Sequence, residues 1–168
     1  MSKKDKERKR DKGEKESAPR LAGALQSDIT RASRHMRTFL TNALSTSGVY
    51  AGQDGVILAL AETDGLTAGA IAERLGVKPP TMTRTLARME AQGFLKREPD
   101  SVDGRQMRAV LTDAGRRHVH AIELAVKATE NFAVDGLSDK EVRQFLKVLR
   151  KINRNLGVVE PEEDGFGE

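Results

Sequence analysis

Between Leu66 and Thr112 the chain is punctuated too often to hold a long element. Thr67 suits an N-cap, where a hydroxyl accepts from the open N–H groups of a first turn, and Ile71, Ala72 and Leu75 then form one helical face. Gly76 is placed to stop that helix, because glycine adopts the left-handed backbone of a helix end at little cost. Pro79 and Pro80 suit a helix start, where no backbone donor is missed. Met82, Leu86 and Met89 supply the inner face of a second short helix, and Gly93 stops it. Phe94–Glu98 and Gln106–Leu111 read as two strands joined by the turn formers of Pro99–Gly104. Two short helices joined through a glycine turn, with a hairpin behind them, describe a helix-turn-helix carrying a wing.

The flanks are helical. Leu21, Leu25, Ile29, Ala32, Met36, Phe39, Leu40, Ala43 and Leu44 recur every three or four residues, which predicts a long helix over 21–46. Val56–Ala61 is a second apolar stretch that ends before Asp64-Gly65. Thr112 reopens a helix to about Phe132, with Val119, Ile122 and Val126 on one side. Ser138 and Glu141 have the spacing of a capping box for a last helix, striped by Val142, Phe145, Leu146, Leu149, Ile152 and Leu156. The fold class is therefore mainly α with a small β-hairpin wing. At roughly 100–200 residues per domain, the chain is expected to form one domain.

Charge is distributed unevenly over the 168 residues. Residues 1–20 carry nine basic and five acidic residues with almost nothing apolar, which predicts a disordered charged tail. This is either a solvated tail or a weak auxiliary DNA contact. Residues 157–168 carry five acidic residues and no basic one, an acidic tail. The segment 74–117 holds ten basic and five acidic residues, so the positive excess gathers on the winged region.

Several classes are excluded. No run approaches the apolar length of a membrane span, and the charged N-terminus does not resemble a secretory signal, so a cytosolic location is expected. The absence of cysteine removes disulfides, thiolate chemistry and cysteine-based zinc sites. His118 and His120, two residues apart, point to different faces of a helix, and His35 is far away, so no metal site is expected. Nothing suggests a bound cofactor. No phosphate loop, no Gly-x-Ser-x-Gly elbow and no isolated carboxylate pair in an apolar context is present, and no catalytic residue is assigned. The chain is not expected to be an enzyme.

At about 100° per residue, Thr81, Arg84 and Arg88 fall opposite Met82, Leu86 and Met89, with Pro80 and Ala87 beside them. Guanidinium groups fork onto guanine edges, hydroxyls reach phosphate, and small residues permit close approach. The hairpin adds Lys96 and Arg97 on one strand and Arg105 and Arg108 on the other. Arg105 follows the tip Asp103-Gly104, from which a cation can enter a minor groove, and Asp103 can hold it by a short-range ion pair. The candidate DNA-binding residues are Thr81, Thr83, Arg84, Arg88, Asp103 and Arg105.

Residues 66–115 resemble the winged helix-turn-helix of the MarR family of bacterial transcription regulators. The matching pieces are Ile71-Ala72…Leu75-Gly76-Val77, Leu86…Met89-Glu90…Gly93-Phe94-Leu95 and Asp100…Asp103-Gly104-Arg105…Leu111-Thr112…Gly115. With its long flanking helices, the resemblance covers about residues 21–156. It implies a winged helix-turn-helix over about 50–112 and dimerisation helices over 21–46 and about 113–156. In the family, residues matching Asp103 and Arg105 shape the wing and place Arg in the minor groove. Arg often stands where this chain has Gly104, which removes one wing contact. The resemblance further implies a homodimer on a pseudo-palindromic double-stranded operator, and a repressor released by a small organic effector. Met36, Phe39, Leu40 and Tyr50 are apolar residues that belong either to the core or to an effector pocket, so the effector-binding residues stay unknown. The competing reading is a winged-helix interaction or architectural module without sequence-specific readout. The cationic outer face argues against it, since a protein-docking surface favours exposed apolar anchors.

Overall fold

The terminal helix α1, Ala18–Ala43, begins the described part of the computed structural model, which covers residues 18–100 and 104–157. It starts and stops three residues ahead of the expected span. After Ala43 the backbone tightens into turns, with Ser47 N–H and its hydroxyl both donating to the Leu44 carbonyl at 2.9 and 2.7 Å. Leu44 and Val49 are buried, so this turn is pinned to the core while most of α1 stays exposed.

The remaining elements are α2 (Gln53–Glu62), β1 (Leu66–Thr67), α3 (Ala68–Arg74), α4 (Pro79–Ala91), β2 (Leu95–Pro99), β3 (Met107–Leu111), α5 (Asp113–Arg116), α6 (Val119–Ala133) and α7 (Asp139–Asn155). Strand β3 lies between β1 and β2, antiparallel to both. Strand β1 was not foreseen: two residues are too short to show a period, and only pairing of Leu66 with Ala109 and Thr67 with Arg108 makes them a strand. Pro99 is tolerated at the end of β2 because β2 is an edge strand.

The single helix expected from Thr112 to Phe132 is two helices. Thr112 caps α5 by accepting from Gly115 N–H at 3.2 Å, and its hydroxyl also reaches the Gly93 carbonyl at 2.6 Å. His118 N–H then bonds three residues back, to the Gly115 carbonyl, which tightens the chain before α6 begins. The His118 ring sits edge-on to Phe94, with centroids 4.9 Å apart. This turn is therefore shaped by the end of α4, which a periodicity reading of α5 and α6 does not see.

The described chain divides into two units, one ending at Thr129 and the other beginning at Glu130. The first unit buries Val56, Ile57 and Leu60 from α2, Ile71 from α3, Met82, Leu86 and Met89 from α4, Leu95 and Leu111 from the sheet, and Ile122 from α6. The second contains α7, started by the foreseen capping box: Glu141 N–H donates to the Ser138 hydroxyl, and Ser138 N–H to the Glu141 carboxylate. No residue of α7 is buried, and Phe145, Leu146, Val148 and Leu156 are exposed. Among the described residues no helix is long and apolar enough to cross a membrane.

Candidate nucleic-acid interface

Helix α4 is set in place at both ends by the same device. At the end of α3, Val77 N–H bonds the Ala72 carbonyl and Gly76 N–H the Glu73 carbonyl, both near 3 Å. At the end of α4, Phe94 N–H bonds the Met89 carbonyl and Gly93 N–H the Glu90 carbonyl, each at 2.9 Å. Both are Schellman caps, and both need a left-handed residue, supplied by Gly76 (φ 62°) and Gly93 (φ 76°). Pro79 opens α4, as expected.

Between these stops Met82, Leu86 and Met89 are buried, so the opposite face points outward. Thr81, Thr83, Arg84 and Arg88 are all exposed on α4, as are Pro80 and Ala87. The Thr83 hydroxyl donates to the Pro79 carbonyl at 3.1 Å, so what it has left to offer outward is a methyl group and an acceptor. The face thus carries two guanidinium groups above small, close-approach neighbours.

The wing differs in how its cations are used. Lys96 pairs with Glu98 at 2.5 Å, and that hydrogen bond raises its pKa. Arg97 reaches back to α4: its Nε donates to a Glu90 carboxylate oxygen at 2.8 Å, and its backbone N–H donates to the other at 3.2 Å. The side-chain bond is the main reason that the Glu90 carboxyl titrates below its ordinary range and Arg97 above its own. Arg108 is paired with Asp100. Arg97 and Arg108, read from sequence as cations of the hairpin, thus tie the wing to the helix and to itself. Arg105 is exposed. Asp103, and with it the expected Asp103–Arg105 pair, lies outside the described residues.

Three structural roles were not read from the sequence. Gln53, at the start of α2, is buried, and its amide donates to the Gln92 side chain at 2.6 Å while its oxygen accepts Tyr50 N–H at 3.0 Å. This links the turn after α1 to the end of α4. A lone glutamine before an apolar run gives no signal of that. Gly115 is the second: a Cβ there would stand 2.0 Å from the Phe94 carbonyl oxygen, so only hydrogen fits. Asp100, read as a turn former, is buried.

Met36, Phe39 and Tyr50 are exposed, and Leu40 is half-buried against the core. A shallow depression lies on α1, lined by residues that include Gln26, Thr30, Arg31, Arg34 and His35, none of them among those four. Among the described residues no three His, Asp or Glu side chains gather as a metal cluster.

A model of the MarR family matches residues 53–106. An HTH-type transcriptional regulator of Mycobacterium tuberculosis is 36% identical over 129 residues, covering 76% of this chain and 87% of the relative. Among solved structures, the transcriptional regulator SlyA superposes with a TM-score of 0.74 at 23% identity, over 79% of this chain and 93% of its own. Reduced AbfR, solved bound to DNA, superposes with a TM-score of 0.69 at 28% identity, over 84% of this chain and 98% of its own.

Proposed function

The chain belongs to the MarR family of transcriptional regulators, and from that premise we propose that it is a repressor, binding a pseudo-palindromic operator as a homodimer and released by a small organic effector. The observation that carries the DNA-binding part is the outer face of α4, where Thr81, Thr83, Arg84 and Arg88 stand exposed over the buried Met82, Leu86 and Met89. A recognition helix needs this division, because its inner side must hold it to the domain while its outer side enters a major groove. In this reading Arg84 and Arg88 take base edges, Thr81 and Thr83 take phosphate or methyl contacts, and Arg105 takes the minor groove with Asp103 steadying it.

The helices α1 and, beyond the winged region of about 50–112, the segment 113–156 supply dimerisation. Exposed Leu25, Met36 and Phe39 on α1, and Phe145, Leu146 and Val148 on α7, are apolar surface of the kind a second copy buries. The protein acts on the chromosome, in the cytoplasm, without chemistry of its own. Release by thiol oxidation is excluded because the chain has no cysteine.

Selection of bound fragments from a random duplex pool tests the reading. It should yield a two-fold symmetric motif, and affinity for that motif should fall steeply between about 50 and 200 mM salt as phosphate contacts are screened. A monomer in light scattering at micromolar concentration, or a pool with no enriched motif, overturns it.

A further inference from the structure

Asp100 is the one charged side chain among the described residues that is buried. It follows the last residue of β2, and its backbone N–H donates to the Gln106 carbonyl at 2.8 Å, closing the hairpin. Its carboxylate accepts from Arg108 Nε, with the Asp100 side chain 6% exposed and that of Arg108 41%. Arg108 stands in the central strand, opposite Thr67 on one side and Glu98 on the other. Its stem passes the turn into β1, where a Cβ on Gly65 would lie 3.6 Å from Arg108 Cδ. Asp100 therefore ties the hairpin in two ways: its backbone N–H holds the Gln106 carbonyl, and its carboxylate holds Arg108 of the central strand, whose stem runs beside the turn into β1. A carboxylate held out of water keeps its partner, since losing it leaves an uncompensated charge.

Gln106 directly follows Arg105, and Arg108 lies two residues further on, so both held points lie close behind Arg105 in the chain. We infer that Asp100 is a positioning residue of the wing: by holding Arg108 and Gln106 it sets the direction in which Arg105 leaves the sheet, and so governs the wing's share of DNA affinity. The inference rests on the proposed reading that Arg105 contacts DNA. The competing role, mere neutralisation of Arg108, predicts the opposite sign. Removing the Asp100 charge would then release a cation at the wing base and tighten binding to any duplex, with a steeper salt dependence.

The experiment titrates the full chain, Asp100→Asn, Arg105→Ala and the double variant against one duplex selected from the random pool, carrying either A·T-rich or G·C-rich flanks, at two salt concentrations. Circular dichroism checks the fold, and amide hydrogen exchange is followed at Asp100 and at residues 104–106. Asp100→Asn should weaken binding to the A·T-flanked duplex by about three- to tenfold and to the G·C-flanked one less, as Arg105→Ala does. The double variant should bind no worse than Arg105→Ala alone, because one contact is lost by either route. Where Arg105→Ala weakens binding, unchanged or tighter binding in Asp100→Asn, or losses that add in the double variant, overturns the inference. If Arg105→Ala leaves binding unchanged, the wing contact itself falls. Exchange then decides: faster exchange at residues 104–106 in Asp100→Asn upholds positioning, and unchanged exchange overturns it. Should Asp100→Asn not fold, Arg108→Lys, which keeps the charge and loses the guanidinium fork, carries the same comparison.

Discussion

Helix α4 and the wing both carry cations, and they use them differently. On α4, Arg84 and Arg88 are exposed and form no ion pair with a described residue. On the hairpin, Lys96, Arg97 and Arg108 are all paired with carboxylates. The difference follows from what holds each element. Helix α4 is seated by its buried Met82, Leu86 and Met89 and by two glycine caps, so its polar face is left exposed. Among the outer strand's described residues only Leu95 is buried, and the pattern turns exposed from Lys96 to Pro99, so ion pairs supply the tethering that apolar packing does not. Net charge alone would count both regions as equal cationic surfaces; the structure does not.

Breaking the seat shared by the two regions should have the largest effect. Gly115→Ala forces a methyl group onto the Phe94 carbonyl, where α4 passes into β2, and a shift of backbone is the only relief. A loss of about 3 kcal/mol or more in folding stability is expected, read as a lower urea midpoint, with DNA binding falling alongside it. A midpoint equal to the parent's would mean the helix and wing are not locked together at this point.

Next in size is the test of the exposed arginines. Arg84→Ala and Arg88→Ala should each cost roughly 1–3 kcal/mol on the selected site and distinctly less on random duplex, with stability unchanged. Equal losses on both duplexes would reduce the two residues to phosphate contacts and bring α4 closer to the wing in character.

Gln53→Leu probes the link behind the helix rather than its face. It leaves Gln92 and the Tyr50 N–H without their partner, for an expected cost of about 1–2 kcal/mol in stability. Exchange of the amides at Gln92 and Gly93 should quicken before the wing strands are affected. If the strands loosen first, the link does not act on α4.

The smallest effect concerns pH and belongs to the tie between α4 and the wing. The Glu90 carboxyl is held below its ordinary pKa, first by the hydrogen bond from Arg97. The folded state thus binds a proton there less readily than the unfolded chain does. Its stabilisation is full above the unfolded pKa and is lost as pH falls through the lowered folded value. Glu90→Gln should therefore flatten the acid side of a thermal-stability profile slightly, while Arg84→Ala leaves that slope alone. An unchanged slope in Glu90→Gln would remove the electrostatic tie between helix and wing.

The sequence by itself determined where α3 and α4 begin and end, where α7 begins, and which face of α4 turns inward. Thr67, Gly76, Pro79, Gly93 and Ser138 act on backbone groups no more than a few residues away, and Met82, Leu86 and Met89 share a face through the helical repeat, so their roles are legible in a linear string. That Thr81, Thr83, Arg84 and Arg88 lie on the exposed side of α4 was legible for the same reason. Only the tertiary structure decided which polar groups are left over. Arg97 finds Glu90 seven residues back across the α4–β2 junction, Gln53 finds Gln92 thirty-nine residues on, and Thr112 with Gly115 packs onto the end of α4, splitting a helix that looked continuous. Such partners are chosen by how folded elements meet, and the energy of a pairing depends on the burial that this meeting creates. Periodicity reports which side of an element is apolar. It carries no information about which distant carboxylate will be waiting for an arginine on the other side.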